Sequence, residues 1–153
     1  MEIKASLFHS TIVPALLYGA ECWSTTKADE EKFAVTQRSM ERRICKISLR
    51  DHISNTELRR RSGSVDIVQE LYKRKRVWAG HVARLRDNRW TSRLTDWIPL
   101  DRKRPLGRPK TRWADPMVKM FGQQWKRRAQ DRNEWIKVDL RGWRNTRGQV
   151  GYR

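Results

Sequence analysis

The sequence predicts an all-α fold. Three observations point to it: most segments place apolar residues at helical intervals, helix-capping residues stand where those segments begin, and glycines or prolines stand where they end. The 153 residues include 37% hydrophobic ones, enough for one medium domain or two small ones with a modest core.

In order along the chain, Leu7, Ile12, Ala15, Leu16 and Tyr18 supply the apolar bulk of a first helix. Pro14 divides or kinks it by removing a backbone donor, and Gly19 weakens its end. The stretch "LFHSTIVPALLYGAECW" is too short to span a bilayer, and His9, Ser10, Thr11 and Pro14 interrupt it as a signal peptide, so no membrane role is expected. A second helix follows in "TTKADEEKFAVTQRSMERRICKIS". Thr25 or Thr26 is its N-cap, Asp29, Glu30 and Glu31 open it, and Arg42, Arg43 and Lys46 close it, an order that complements the helix dipole. That dipole is a sufficient reason for the three acids, which are not needed as metal ligands. Ser54 and Glu57 have capping-box spacing and Gly63 marks a C-terminal stop, which makes "SNTELRRRSG" a short connecting helix.

The segment "SVDIVQELYKRKRVWAGHVARLRD" carries the clearest pattern. Ile67, Leu71, Trp78, Val82 and Leu85 form a core-facing stripe, so Trp78 belongs to the core. Lys73, Arg76, Gly80 and Arg84 form a row on the opposite side, spanning about 16 Å at the helical rise. A mid-helix glycine costs about 1 kcal/mol relative to alanine. Gly80 therefore admits either another backbone or a tightly packed neighbouring helix. His81 has Leu85 and Val77 at four residues on either side, which makes it no metal ligand and leaves it a polar or phosphate-contacting role.

A short helix with Trp90, Leu94 and Trp97 precedes "KRPLGRPKTRW", where five cations share eleven residues with two prolines and a glycine. Together with Pro99, this composition excludes a continuous helix. It describes either a solvated loop or a stiff strap that holds Lys103, Arg104, Arg108, Lys110 and Arg112 out to phosphates. Asp115 and Pro116 have the pattern of an N-cap and first helical residue. "WKRRAQDRNEWIKVDL" gives a last helix, and residues 144–153 are expected to fray.

Charge sharpens the functional expectation. The formal net charge is +18, and it is uneven: residues 1–58 hold 8 basic and 8 acidic side chains, 59–112 hold 17 and 5, and 113–153 hold 10 and 4. Such an excess calls for a polyanionic partner. Seven of the eight tryptophans lie in the basic part, where each either anchors a small helical core or offers a base-stacking face. Cys22 and Cys45, with no CxxC and no histidine pair, indicate neither zinc nor a disulfide framework, and an intracellular location follows. "KRKR" at 73–76 has the composition of a nuclear import signal but lies inside the amphipathic helix, leaving nucleus and cytoplasm undecided.

The motifs "LLYGAECW", "QRSMERRI", "RKRVWAGHVARLRD", "GRPKTRW" and "AQDRNEW", in this order across about residues 5–143, resemble the region downstream of the polymerase palm in non-LTR (LINE-type, RTE-like) retrotransposon endonuclease-reverse transcriptases. The resemblance implies that residues 1–58 are similar to the helical thumb, which holds the template-primer duplex. Residues 59–143 would be the basic nucleic-acid-binding extension, joined through the Pro/Gly-rich connector. The paired aspartates of the palm do not occur in these residues. Where relatives carry two acids after the "GRPxxRW" tryptophan this chain has Ala114, Asp115 and Pro116, and the cysteine-histidine knuckle of some LINE families is missing.

The expected function is a non-catalytic reverse transcriptase fragment that binds RNA, DNA or an RNA-DNA hybrid through backbone phosphates. It needs no cofactor, metal or small-molecule substrate, and in a longer chain it partners a polymerase palm. The interface would comprise Lys73, Arg76, Arg84, Lys103, Arg104, Arg108, Lys110 and Arg112, with Gly80 permitting close approach. The rivals are a nuclease hidden among Asp66, Asp87, Asp96 and Asp115, a stand-alone basic chromatin- or ribosome-associated protein derived from a retroelement, and a degenerate gene fragment.

Overall fold

A computed structural model describes residues 2–87, 89–96 and 111–137. Among them every regular element is helical, and no strand occurs. The expected all-α class is the one observed. Two compact units are present, residues 1–21 with 25–72, and 22–24 with 73–153. Charge alone suggests a boundary at 58; residues 59–72 belong instead with the first unit, through the polar contacts described below.

In the first unit, α1 (Glu2–Leu7) runs into a π-helical turn (Phe8–Ile12) and then α2 (Val13–Leu16). Pro14 explains the wide turn. Its ring takes the space and its nitrogen lacks the proton that an α-helical bond to Ser10 needs, and the backbone answers by widening, with the Val13 amide donating to the Phe8 carbonyl. Phe8, Val13 and Leu17 are buried on this side.

α3 (Lys27–Cys45) starts at Thr26, whose Oγ1 accepts from the Asp29 amide at 3.3 Å while the Asp29 carboxylate accepts from the Thr26 amide at 3.0 Å. The Thr26 amide first, and then the Thr26 hydroxyl, which donates to the same carboxylate at 2.8 Å, hold the Asp29 carboxyl below its ordinary range. α3 packs on α4 (Asn55–Ser62), which Ser54 caps and which Gly63 ends at φ +65°. Glu57 departs from the capping-box expectation. Its carboxylate turns to Arg60 and Arg61, whose hydrogen bonds hold it down to about 2.

A buried polar network joins α3, α4 and the start of α5 (Ile67–Arg84). The Gln37 side chain accepts from the Ile67 amide at 2.8 Å and donates to Glu41 and to the Val65 carbonyl. Asp66 caps α5 by accepting from the Val68 and Gln69 amides at 2.9 and 3.3 Å, and also pairs with Arg59 at 2.6 Å. Glu41 lies wholly buried, 3.8 Å from Arg59, with one carboxylate oxygen unpartnered. Desolvation outweighs the Arg59 attraction and raises its pKa. Asp66, one of the four carboxylates that a hidden nuclease would use, is thus a helix cap and ion-pair partner.

The second unit holds the rest of α5, then α6 (Trp90–Asp96), α7 (Asp115–Phe121), α8 (Trp125–Arg128) and α9 (Arg132–Lys137). Asp115 is the first residue of α7 rather than its N-cap, which is Ala114; its carboxylate accepts instead from the Arg112 amide at 2.7 Å. The single helix expected from 125 onward is two. Asp131 accepts from the Asn133 and Glu134 amides at 2.8 and 2.9 Å, so a new helix starts there. Met117, Phe121, Trp125, Ala129 and Trp135 form the core of the unit with Ala79 of α5, and Trp113 packs at its edge. The residues expected to fray, 144–153, lie outside the described ones.

Candidate nucleic-acid interface

In the second unit, α5 is buried on more than its apolar stripe. Ala79, Gly80 and Val82 are covered, and so are Lys75 and Arg76. The burial of Gly80 has a specific cause. A Cβ there would come within 2.5 Å of Trp135 Nε1 and 2.6 Å of its Cδ1. The indole occupies the space that glycine leaves, and Nε1 donates to the Arg76 carbonyl at 2.9 Å. Trp135 also stands 4.4 Å, centroid to centroid, from the Phe121 ring. Of the two reasons for a glycine at this position, packing against a neighbouring element is the one observed.

Arg76 completes the latch. The residue is 6% exposed, and its guanidinium donates to the Trp135 and Ile136 carbonyls at 3.0 and 3.3 Å, while desolvation lowers its pKa. Arg84 donates to the Ala129 carbonyl at 2.7 Å, at the C-terminal end of α8, where a cation is favoured by the helix dipole. Gln130 donates back to the Ala83 carbonyl at 2.8 Å. Lys75 is fully buried: its Nζ donates to the Trp23 carbonyl at 2.6 Å and lies 5.6 Å from the Trp113 ring centroid.

The predicted row therefore divides. Lys73 is exposed, Arg84 is half-buried, and Arg76 and Gly80 are inside. The expectation of a solvated cationic face is corrected at Arg76 and Gly80, because carbonyl groups and an indole ring from the C-terminal helices fill that side of α5. Arg112 is exposed. Lys103, Arg104, Arg108 and Lys110 lie outside the described residues. In "KRKR" the last two side chains are the buried ones.

Other exposed groups emerge that helical periodicity did not single out. Trp90, at the start of α6, is 73% exposed, and the Arg93 guanidinium lies 5.6 Å from its ring centroid. Arg86, Arg89, Arg127, Arg128 and Arg132 are exposed as well. The signal was present in "RLRDNRWTSR", where four arginines surround a tryptophan placed outside the stripe of α5. An exposed ring beside guanidinium groups can stack a base and hold the adjoining phosphates. Trp125 and Trp135, in contrast, are core, and Trp78 is half-buried and stacked on His81 at 5.3 Å.

The remaining candidate carboxylates have cationic or backbone partners: Asp87 pairs with Arg89, Asp96 with Lys126, and Asp115 accepts from the Arg112 amide. Among the described residues, no three His, Cys, Asp or Glu side chains come together as a metal site.

The fold and these exposed groups define a helical, strongly basic chain with an aromatic-cation surface. In sequence it is 37% identical, over 158 aligned positions, to a Caenorhabditis elegans protein described as uncharacterized and transposon-derived. The alignment covers 95% of this chain and 57% of that relative's length, and it supports a transposon origin. No protein-family profile and no solved structure matches the chain.

Proposed function

We propose that this chain is the thumb and downstream extension of a non-LTR retrotransposon reverse transcriptase, and that it binds RNA or an RNA-DNA template-primer without catalysing a reaction of its own. The observation that carries the reading is the surplus of cations in residues 59–112, 17 against 5 acids, of which only some are held inside the fold. Lys75, Arg76 and Arg84 bind carbonyl groups. Lys73, Arg86, Arg89, Arg93 and Arg112 keep exposed side chains, and Lys103, Arg104, Arg108 and Lys110 extend the series in sequence. The transposon-derived relative and the ordered motifs of reverse transcriptase type support the same reading.

In this interface Lys73, Arg112 and the connector cations contact phosphates, and Trp90 with Arg93 stacks an unpaired base. Arg76 and Gly80 support the surface from beneath. Phosphate contacts position a protein without specifying sequence, so discrimination among sequences is slight. Filter binding of the full chain to RNA, DNA and hybrid oligonucleotides tests the proposal. Affinity falls by about 10³- to 10⁵-fold between 50 and 200 mM salt if six to ten phosphates are contacted. A flat salt response contradicts it. Nucleotide incorporation or cleavage by the purified chain contradicts the non-catalytic part.

A further inference from the structure

The C-terminal half of α3 and the turn that follows enclose a groove of about 570 Å³ within the first unit. Val35, Ile47 and Leu49 give it an aliphatic lining, and Arg38, Arg42, Arg43 and Lys46 give it charge; no acidic side chain is among its lining residues. The helix dipole accounts for cations at the end of α3. It does not account for the aliphatic surface left in water beside them, Val35 at 51% and Leu49 at 77% exposure. Glu31 answers Arg38 from one side, at 2.7 Å.

We infer that this groove docks an acidic amphipathic peptide segment of a partner protein, its apolar side chains on Val35, Ile47 and Leu49 and its carboxylates on Arg42, Arg43 and Lys46. Charge complementarity selects an acidic occupant. The aliphatic lining selects a peptide over a nucleic acid, since the groove has no aromatic ring to stack a base and a phosphate chain would leave Val35 and Leu49 in water. This surface lies in the unit whose residues 1–58 carry no net charge, and it uses none of the cations assigned above to phosphates.

The test uses the full chain and three fluorescent probes: a helical peptide built from leucine and glutamate, a polyglutamate of the same length, and a single-stranded RNA. Anisotropy should show the leucine-glutamate peptide binding at least about tenfold more tightly than polyglutamate, a difference of about 1.4 kcal/mol. Leu49→Asp and Arg43→Glu, both at exposed positions and checked for retained helicity by circular dichroism, should each weaken that peptide about tenfold and leave RNA affinity unchanged for Leu49→Asp. Amide shifts on peptide addition should map to residues 35–49. No peptide binding, equal binding of polyglutamate, or indifference to Leu49→Asp overturns the inference. So does RNA that displaces the peptide and shifts the same amides, which would make the groove a nucleic-acid site.

Discussion

Replacing Gly80 with alanine probes the packing of the second unit directly. In an open helix the change would stabilise by about 1 kcal/mol, the difference in helix propensity. Here the added methyl meets Trp135 Nε1 at 2.5 Å, Cδ1 at 2.6 Å and the Arg84 guanidinium at 3.1 Å. The arginine can swing away, but the indole is held by the Arg76 carbonyl at 2.9 Å and by Phe121 at 4.4 Å. Overpacking of this kind costs about 1–3 kcal/mol. Displacing the ring from its acceptor leaves a buried N–H unsatisfied at a further cost of about 1–3 kcal/mol. After the propensity gain, Gly80→Ala should destabilise by about 1–5 kcal/mol. Urea unfolding followed by circular dichroism measures it. A variant as stable as the parent, or more stable, would refute the Gly80–Trp135 contact.

Asp66→Ala removes the cap of α5 and the 2.6 Å partner of Arg59, and should cost about 2–4 kcal/mol in the same unfolding assay. Thr26→Ala should cost about 1 kcal/mol by undoing the start of α3. Glu41 predicts a pH dependence. Its folded pKa is raised by desolvation, so its favourable share of stability is complete below the ordinary glutamate range and is lost as pH rises through the raised value. Glu41→Gln keeps an acceptor for Gln37 and removes the titration. Relative to this variant, the parent should lose stability between acidic and neutral pH, as followed by thermal melts across that range; parallel curves would refute the assignment.

Local signals were legible where the chemistry is local. Thr26, Ser54 and Gly63 cap the helices they were expected to cap, because each bond closes within a few residues. Pro14 announced a disturbance, though its form, a π-turn, depends on how the surrounding helix relaxes. Asp66 and Gln69 stand at capping-box spacing just before the apolar run, so Asp66 could also have been recognised as the cap of α5. The row Lys73, Arg76, Gly80 and Arg84 was correct as a helical face and incomplete as a surface. Helical spacing gives the direction of a side chain, and nothing in it reveals that Trp135 and Ala129, 45 or more residues away, would bring carbonyl groups to meet two of those arginines. Gly80 was the one local hint that something large packs there. The tryptophans divide on the same ground: Trp125 and Trp135 lie in the core, whereas Trp90 faces solvent beside Arg93.

On the proposed function, the connector cations grip phosphates while Arg76 and Arg84 of α5 hold the fold together. The salt dependence of RNA binding, measured for the parent chain and for a variant with Lys103, Arg104, Arg108, Lys110 and Arg112 all changed to glutamine, separates these roles. Each single-strand phosphate contact contributes about 0.7 to the slope of log affinity against log salt, so the variant's slope should be shallower by about 3.5 with its urea midpoint unchanged. An unchanged slope would contradict the claim.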